Sequence, residues 1–174
     1  MSVDAGTPTI RKVRSEEDIA AVRALVWEFF DVIRARYPDM LDTINRYIEK
    51  QDVAGQLANF AAVFLPPAGE CLVADHNGEQ VGMIMLKPLP DKACEMNRMY
   101  ARDTARGLGL GRALCESLIA EARSLGFREV LLDALYRHVE ALALYESVGF
   151  ETYRPQDGFD AHDERVVHMR LTLH

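Results

Sequence analysis

Residues 95–114 read Glu95-Met-Asn-Arg-Met-Tyr-Ala-Arg-Asp-Thr-Ala-Arg-Gly-Leu-Gly-Leu-Gly-Arg-Ala-Leu114. An extended segment leads into a turn with three alternating glycines, and the turn opens a helix. Glycine permits positive φ angles and lets a ligand approach the main chain closely. The first N–H groups of a helix have no intrahelical partner, and together with the helix dipole they form an anion site. The stretch therefore predicts a strand–turn–helix unit that binds an anion.

The charge of this stretch is opposite to that of the whole chain. From Asn97 to Arg112, four arginines and one aspartate give +3, whereas the chain carries −7. This contrast favours a small phosphate-bearing ligand over nucleic acid or a membrane surface. Two common phosphate motifs do not fit. A Walker loop needs Lys-Ser/Thr after its last glycine, where Arg112-Ala113 stand, and a dinucleotide fingerprint needs a glycine in place of Arg112.

Length and composition are those of one ordinary domain. The chain has 174 residues and is 49% apolar, so we expect a single domain over residues 9–174. Its three cysteines show no metal-ligand spacing, and its histidines are scattered, which indicates free thiols in a reducing compartment and no bound metal. No signal peptide and no apolar run of about 20 residues is visible. We therefore expect a soluble, cytoplasmic protein without a membrane partner.

Hydrophobic periodicity predicts an α/β fold with a mixed sheet. The Asn77-Gly78 pair is a hairpin signal and implies antiparallel strands. The strand–helix–strand unit from Cys94 to Val130 implies a parallel pair. The expected architecture is a mixed, mostly antiparallel central sheet flanked by helices. The predicted strands are 9–14, 71–74, 81–86, 94–101, 129–132 and 165–173, and the predicted helices are 15–37, 40–64 with a break near 51–52, 110–125 and 139–148.

Two motifs carry a resemblance to a known family. Arg106-x-x-Gly109-x-Gly111, between a strand and a helix, resembles the acyl-CoA-binding motif of the GNAT superfamily of N-acetyltransferases. Downstream, the run from Ala143 to Phe150 resembles the family's late helix, which carries a tyrosine and ends in Gly-Phe. The order of elements agrees over roughly residues 9–173. The resemblance implies a GNAT fold and transfer of an acetyl group from acetyl-CoA to an amine in a ternary complex.

The resemblance also implies how the co-substrate is held. Main-chain groups of Met99, Tyr100 and Ala101 would pair with the pantetheine arm as an added strand would. Backbone donors suit phosphate oxygens, and the alternative for the glycines is a tight structural turn. The residues whose N–H groups would hold the pyrophosphate are Arg106, Gly107, Leu108, Gly109, Leu110, Gly111 and Arg112.

Acetyl transfer to an amine requires two proton transfers. An alkyl ammonium has a pKa near ~10, so only about one molecule in a thousand is nucleophilic at pH 7. The resemblance implies that Tyr145 protonates the departing thiolate, the alternative being a core aromatic. It also implies that Glu95 is the base, the alternatives being a structural pair with an arginine such as Arg98 or deprotonation through water. The Met99 N–H would polarise the thioester carbonyl, and Tyr100 would face the opposite side of its strand.

The motifs do not indicate which amine is the acceptor. In many family members an asparagine stands seven residues before the tyrosine of the late helix; here that residue is His138, which we interpret as a surface histidine. Acidic residues near the expected acceptor side favour a cationic amine, either a small molecule or a protein amine. The sequence does not decide whether the protein forms a homodimer. The competing hypotheses are a non-catalytic acyl-CoA-binding module and a nucleotide-binding domain of another fold. Those acids are Asp31, Asp39, Asp42, Asp157, Asp160 and Asp163.

Overall fold

A computed structural model describes residues 6–157 and 161–174. Helices and strands follow the predicted order. The elements are β1 (Thr9–Lys12), α1 (Glu16–Arg36), α2 (Leu41–Lys50), α3 (Val53–Ala58), α4 (Phe60–Phe64), β2 (Glu70–His76), β3 (Glu79–Pro88), β4 (Ala93–Ala101), α5 (Leu110–Ser124), β5 (Glu129–Leu135), α6 (Val139–Ser147), β6 (Glu151–Tyr153) and β7 (Val166–Thr172), with 3-10 turns at Pro38–Met40 and Asp103–Ala105.

The described strands form one seven-stranded sheet in the order β1-β2-β3-β4-β5-β7-β6. Every neighbouring pair is antiparallel except β4 and β5, so the predicted mixed, mostly antiparallel sheet is confirmed. The hairpin between β2 and β3 turns at Asn77 and Gly78, both with positive φ, as a type I′ connection requires. Strand β5 runs three residues further than predicted, because its pairing with β7 continues to Leu135.

The parallel pair of β4 and β5 is short. It joins Cys94 to Val130 and one residue pair on either side. Beyond this point β4 continues to Ala101 and β5 to Leu135 without pairing to each other. An unpaired strand edge presents free N–H and C=O groups. The centre of the sheet is therefore open along one half of β4.

A β-bulge marks the place where β4 leaves its neighbour. Met83 of β3 pairs with Tyr100 of β4, and Met85 of β3 pairs with Asn97 of β4. Between these two pairs, Arg98 and Met99 of β4 lie opposite a single residue of β3. Arg98 has φ +54°, in the left-handed region. A bulge of this kind bends the strand and re-aims its side chains.

Two hydrophobic clusters cover the two faces of the sheet. Along β3, Met83 and Met85 belong to the cluster beneath α1–α4, whereas Ile84 and Leu86 belong to the cluster beneath α5 and α6. This alternation is the period of two expected of a strand that is buried on both faces. The sequence predicts an apolar stripe on α5 made of Leu110, Leu114, Leu118, Ala122 and Leu125. The first four lie in the cluster beneath α5 and α6, whereas Leu125 follows the end of the helix and is exposed.

The helix ends follow the signals in the sequence. Ser15 Oγ accepts the N–H of Asp18 and caps α1. The predicted break near residues 51–52 is confirmed, because α2 ends at Lys50 and Asp52 has left-handed backbone angles. At the end of α6, the N–H of Phe150 donates to Tyr145 O at 3.0 Å. This closure holds the last turn of α6, and with it Tyr145, against the sheet.

Candidate active site

The glycine turn lies between the second 3-10 turn and α5. Gly107 and Gly109 have φ +85° and +70°, and a Cβ added to either would meet no atom within 4 Å. Gly109 is the residue before α5, and no side chain caps this helix. Gly111 differs, because its Cβ would lie 3.3 Å from Leu144 Cδ2 of α6. The turn is therefore open on one side and packed on α6 on the other.

The main-chain donors of the turn fall into two groups. The N–H of Arg106 donates to Asp103 O and that of Leu108 donates to Ala105 O, at 3.0 and 3.4 Å. These two predicted phosphate donors are thus used within the turn. Within the described chain, the first N–H of α5 with a main-chain acceptor is that of Ala113, which donates to Gly109 O. The donors left for a ligand are those of Gly107, Gly109, Leu110, Gly111 and Arg112.

A long groove, which we call the outer groove, runs along this turn. It passes between the turn and the start of α6 and reaches the free edge of β4 at Met99, Tyr100 and Ala101. Five arginines and two acids line it, so it is basic within an acidic protein. The arginines are Arg36, Arg102, Arg106, Arg112 and Arg137, and the acids are Asp103 and Glu140.

Arg98 does not lie with the other arginines of the basic stretch. Its side chain is in the interior and the residue is only 7% exposed, because the bulge turns it away from the glycine turn. Tyr100 faces the α1 side of the sheet, as the alternation predicts, and its hydroxyl donates to Glu28 Oε2 at 2.8 Å. The prediction that Arg98 contributes to the basic charge at the glycine turn was wrong. A count of charges along the chain does not show which face of the strand each side chain takes.

A second cavity, which we call the inner cavity, fills the gap between β4 and β5. Arg98 and Met99 line it from β4, and Leu132, Asp133 and Leu135 line it from β5. The inner cavity and the outer groove adjoin each other, because five residues line both of them. The shared residues are Phe29, Ile33, Met99, His138 and Ala141.

Tyr145 lies in the wall of the inner cavity. It is 7% exposed and packs edge-on against Phe150, with ring centroids 5.9 Å apart. It is thus both a core aromatic and a cavity residue. Burial raises the pKa of the Tyr145 hydroxyl well above its usual value, so the group keeps its proton at neutral pH.

Glu95 lies in the half of β4 that still pairs with β5. Its side chain is 12% exposed and Lys87 Nζ is 3.4 Å from its Oε2, so its ionic partner is Lys87 and not Arg98. Burial raises the pKa of the Glu95 carboxyl, while Lys87 acts against this shift. Among the residues that the structure describes, Glu95 lines neither cavity. The structure therefore brings Tyr145 to the cavity but not Glu95.

The sequence reasoning missed Asp133, the one acid that the described part of the chain contributes to the inner cavity. Its Oδ1 lies 2.6 Å from Nδ1 of the buried His168. The two residues are 35 positions apart and meet because they are direct partners in the β5–β7 register. No spacing rule along the chain indicates such a pair.

His138 is not the surface histidine that we expected. It is half-buried at the junction of the outer groove and the inner cavity, and its ring lies 5.2 Å from that of Tyr37. Burial, with a smaller contribution from Arg36, lowers the pKa of His138 to about 4. The imidazole is therefore neutral at pH 7, and its Nε2 has no hydrogen-bond partner within the described chain.

The comparison with known proteins is decisive for the family. The sequence profile of the "Acetyltransferase (GNAT) family" matches residues 21–150. This chain belongs to the GNAT family. An uncharacterised N-acetyltransferase of Schizosaccharomyces pombe is 32% identical over 167 residues, which cover 95% of this chain and 94% of that protein. The protein is thus an acetyl-CoA-dependent N-acetyltransferase.

Solved GNAT structures share the whole fold. An acetyltransferase of the family from Staphylococcus aureus superposes with a TM-score of 0.72 at 17% identity, covering 96% of this chain and 99% of that chain. The PaiA N-acetyltransferase of Thermoplasma acidophilum, solved with coenzyme A, gives 0.71 at 16% identity and covers 97% and 100%. The GNAT fold is thereby confirmed, and the hypothesis of a nucleotide-binding domain of another fold is wrong.

Several of the acids that suggested a cationic acceptor form ion pairs with arginines elsewhere in this GNAT protein. Asp39 pairs with Arg137, and Asp163 pairs with Arg165 and Arg46. Asp160 lies outside the described residues, and the described members of the set line neither cavity. A cationic acceptor therefore stays a prediction without support from the cavity walls.

The three cysteines of this GNAT chain are free and buried, as expected. No group of three or more His, Cys, Asp or Glu side chains within residues 6–157 and 161–174 is arranged to hold a metal ion. Over these same ranges, every helix is too short or too polar to cross a membrane.

The backbone of the glycine turn can be tested with a matched pair of variants. Gly109→Ala places a side chain at φ +70° beside the outer groove, and Gly126→Ala places one at φ +87° at the other end of α5. Each should lower the free energy of unfolding by about 1–2 kcal/mol in urea titrations. Only Gly109→Ala should also raise the KM for acetyl-CoA, by about tenfold or more, because it displaces the amide donors. Equal KM values in the two variants would contradict a role of this turn in binding.

Proposed function

We propose that this enzyme transfers an acetyl group from acetyl-CoA to a primary amine by direct attack within a ternary complex, and that residues 9–174 form the single catalytic domain. The observation that carries the proposal is that two chemically different spaces adjoin at Met99. One is a basic groove with free amide donors, and the other is an inner cavity with a protonated Tyr145 in its wall.

The outer groove has the donors that acetyl-CoA needs. The pyrophosphate would accept the free N–H groups of the glycine turn and of the first turn of α5, with Arg106 and Arg112 near it. The pantetheine arm would pair with the open edge of β4 from Met99 to Ala101, as a β-strand would. This arrangement brings the thioester to Met99, whose N–H would stabilise the developing oxyanion. The structural neighbour from Thermoplasma acidophilum was solved in complex with coenzyme A, which supports coenzyme A as a ligand for a protein of this fold.

Tyr145 is the proposed general acid. The amine nitrogen forms a bond to the thioester carbon, and the carbon–sulfur bond then breaks. The electron pair of that bond goes to sulfur, and the Tyr145 hydroxyl donates the proton that converts the thiolate to the free thiol. The attacking nitrogen loses its extra proton as the amide forms, and a proton returned to Tyr145 restores the hydroxyl. The raised pKa of Tyr145 keeps this proton available at neutral pH.

Glu95 is the proposed base, acting through water. Its carboxylate lines neither cavity of the described chain, so an ordered water would have to carry the proton from the ammonium to it. The raised pKa of Glu95 makes it a better proton acceptor than an ordinary carboxylate. Direct loss of the proton to bulk water through a chain of waters is the competing route.

The acceptor is an amine that is cationic in free solution, and either a small molecule or a protein amine satisfies the chemistry. The positions of the cysteines support direct attack by the amine. None of the three cysteines lines the inner cavity or the outer groove, and burial raises the pKa of each. An acetyl-cysteine intermediate is therefore disfavoured.

Steady-state kinetics test the ternary complex. With both substrates varied, double-reciprocal plots of thiol release should intersect, because both substrates must be bound before reaction. Mass spectrometry of enzyme incubated with acetyl-CoA alone should find no acetylated protein. Parallel plots together with an acetyl-enzyme would contradict direct attack, and acetyl-CoA binding without turnover across an amine panel would favour the non-catalytic module.

The role of Tyr145 can be tested by removing only its hydroxyl. Tyr145→Phe keeps the ring contact with Phe150, so the melting temperature should be nearly unchanged. The kcat should fall by about 10²–10⁴-fold, because the departing thiolate loses its proton donor. Tyr136→Phe is the matched control, since Tyr136 is 48% exposed and lines neither cavity. A kcat for Tyr145→Phe close to that of the control would exclude the acid role.

The pH dependence tests Glu95. A base must be deprotonated, so kcat/KM should rise with pH through the pKa of Glu95, which lies above the usual value of about 4.3. In Glu95→Gln this rise should vanish and only the titration of the amine should remain. Lys87 acts to lower the pKa of Glu95, so Lys87→Met should move the rise to higher pH. A profile unchanged in Glu95→Gln would favour the water-chain route.

A further inference from the structure

Arg98 is an unusual member of the inner-cavity wall. The residue is 7% exposed, and its left-handed φ of +54° belongs to the bulge that opens the sheet. A guanidinium keeps its charge even where burial lowers its pKa, as it does here. A charge in this position normally requires an opposite charge or a full set of hydrogen bonds.

The chain itself satisfies Arg98 only in part. Nη2 donates to Gln56 Oε1 at 3.0 Å, and the rings of Phe30 and Phe64 lie 5.9 Å from the guanidinium carbon. Nε and Nη1 have no hydrogen-bond partner within the described chain. The nearest candidate counter-charge on the same strand, Glu95, has its ion pair with Lys87. The guanidinium therefore retains unused donors while it lines a cavity.

A second unsatisfied polar group lines the same cavity. Thr43, on α2, is 3% exposed, and its Oγ1 has no partner within the described residues. Arg98 and Thr43 come from different elements and present a cationic fork and a hydroxyl. This combination is suited to a carboxylate, which accepts two N–H bonds from an arginine and a further O–H bond.

The rest of the cavity wall is mainly apolar. Asp133 is the one acid that the described residues contribute, and it lies across the gap on β5, paired with His168. A ligand that matches this wall carries an apolar body, one anionic group for Arg98 and an amine that reaches Met99 and Tyr145. The apolar lining residues include Phe29, Phe30, Ile44, Leu132, Leu135 and Val166.

We propose that Arg98 binds a carboxylate on the acceptor, and that the acceptors are therefore small apolar amines with a carboxylate, the class of apolar α-amino acids. This inference rests on the proposed function, because it assigns the acceptor of the same site. It narrows the acceptor class from amines in general to zwitterions, and it makes Arg98 the residue that determines specificity.

Matched substrates give the first test. L-Phenylalanine, L-phenylalaninamide and 2-phenylethylamine differ only at the carboxylate, and the leucine series provides a smaller side chain. With the wild-type enzyme and acetyl-CoA, kcat/KM should be about 100-fold higher for the acid than for the two neutral analogues. Equal turnover of acid and neutral analogues would overturn the proposal. So would a preference for succinyl-CoA over acetyl-CoA with 2-phenylethylamine, since the carboxylate would then belong to the acyl donor.

Variants give the second test. Arg98→Met retains the length of the side chain between Phe30 and Phe64 and removes the charge. It should therefore lower kcat/KM much more for the acid than for the neutral analogues and abolish the preference for the acid. Arg34→Met, on the surface of α1 and lining neither cavity, should keep the preference. Thr43→Val, a change of similar shape, should reduce the preference about fivefold and provides the test if Arg98→Met does not fold. An equal loss on acids and neutral amines would indicate a merely structural role and overturn the proposal.

A binding measurement separates this proposal from the proposed function. 3-Phenylpropanoate has the carboxylate but no amine, and calorimetry in the presence of coenzyme A should detect its binding to wild type, no binding to Arg98→Met and no binding of 3-phenylpropanamide. Such binding without acetylation of any amine would contradict the proposed function and support the carboxylate site. No binding of 3-phenylpropanoate to the wild type would overturn the carboxylate site.

Discussion

The parting of β4 and β5 is the constraint on which the rest of this structure depends. The two strands share only three residue pairs, and the bulge at Arg98 and Met99 then bends β4 away from its parallel neighbour. Unpaired backbone in the middle of a sheet is costly, since each buried polar group without a partner costs about 1–3 kcal/mol. In the proposed complex, the pantetheine arm completes the hydrogen bonds of the free edge, as a peptide does in strand-addition sites.

Two chemically different environments, the outer groove and the inner cavity, meet at this opening. The outer groove is basic and lined by backbone donors, which suits a pyrophosphate, and the inner cavity is mainly apolar. Met99 lines both, so in the proposed complex a thioester held by the groove lies at the mouth of the cavity. In a mainly apolar space, hydrogen bonds and charges act more strongly than they do at the surface.

The buried ionisable groups near the opening are satisfied to different degrees. Glu95 has Lys87, and Asp133 has His168, so each carboxylate has a partner from a neighbouring strand. Arg98 has one amide oxygen and two aromatic rings, and Tyr145 retains its proton through burial alone. Arg98 and Tyr145 both line the inner cavity, where the proposed substrate takes the place of protein partners.

Much of the fold was predictable because its signals are local. The turn at Asn77-Gly78, the cap at Ser15, the break at Asp52 and the glycine turn before α5 each depend on residues within one or two turns of chain. The strand–helix–strand unit likewise has one favoured connection, which made the parallel pair foreseeable. The family could be inferred because two local motifs, Arg106-x-x-Gly109-x-Gly111 and the run from Ala143 to Phe150, resemble those of the GNAT family.

The amino-acid sequence by itself determined the order of elements, the mixed sheet, the glycine turn before α5 and the presence of Tyr145 on the late helix. Only the tertiary structure decided that Arg98 turns inward, that Lys87 partners Glu95, that Asp133 meets His168, and that His138 stands between the two cavities. The physical reason is that periodicity and turn chemistry act between near neighbours in the chain. Burial, ion pairing and pKa depend on the register of strands and on side chains that several distant elements bring together.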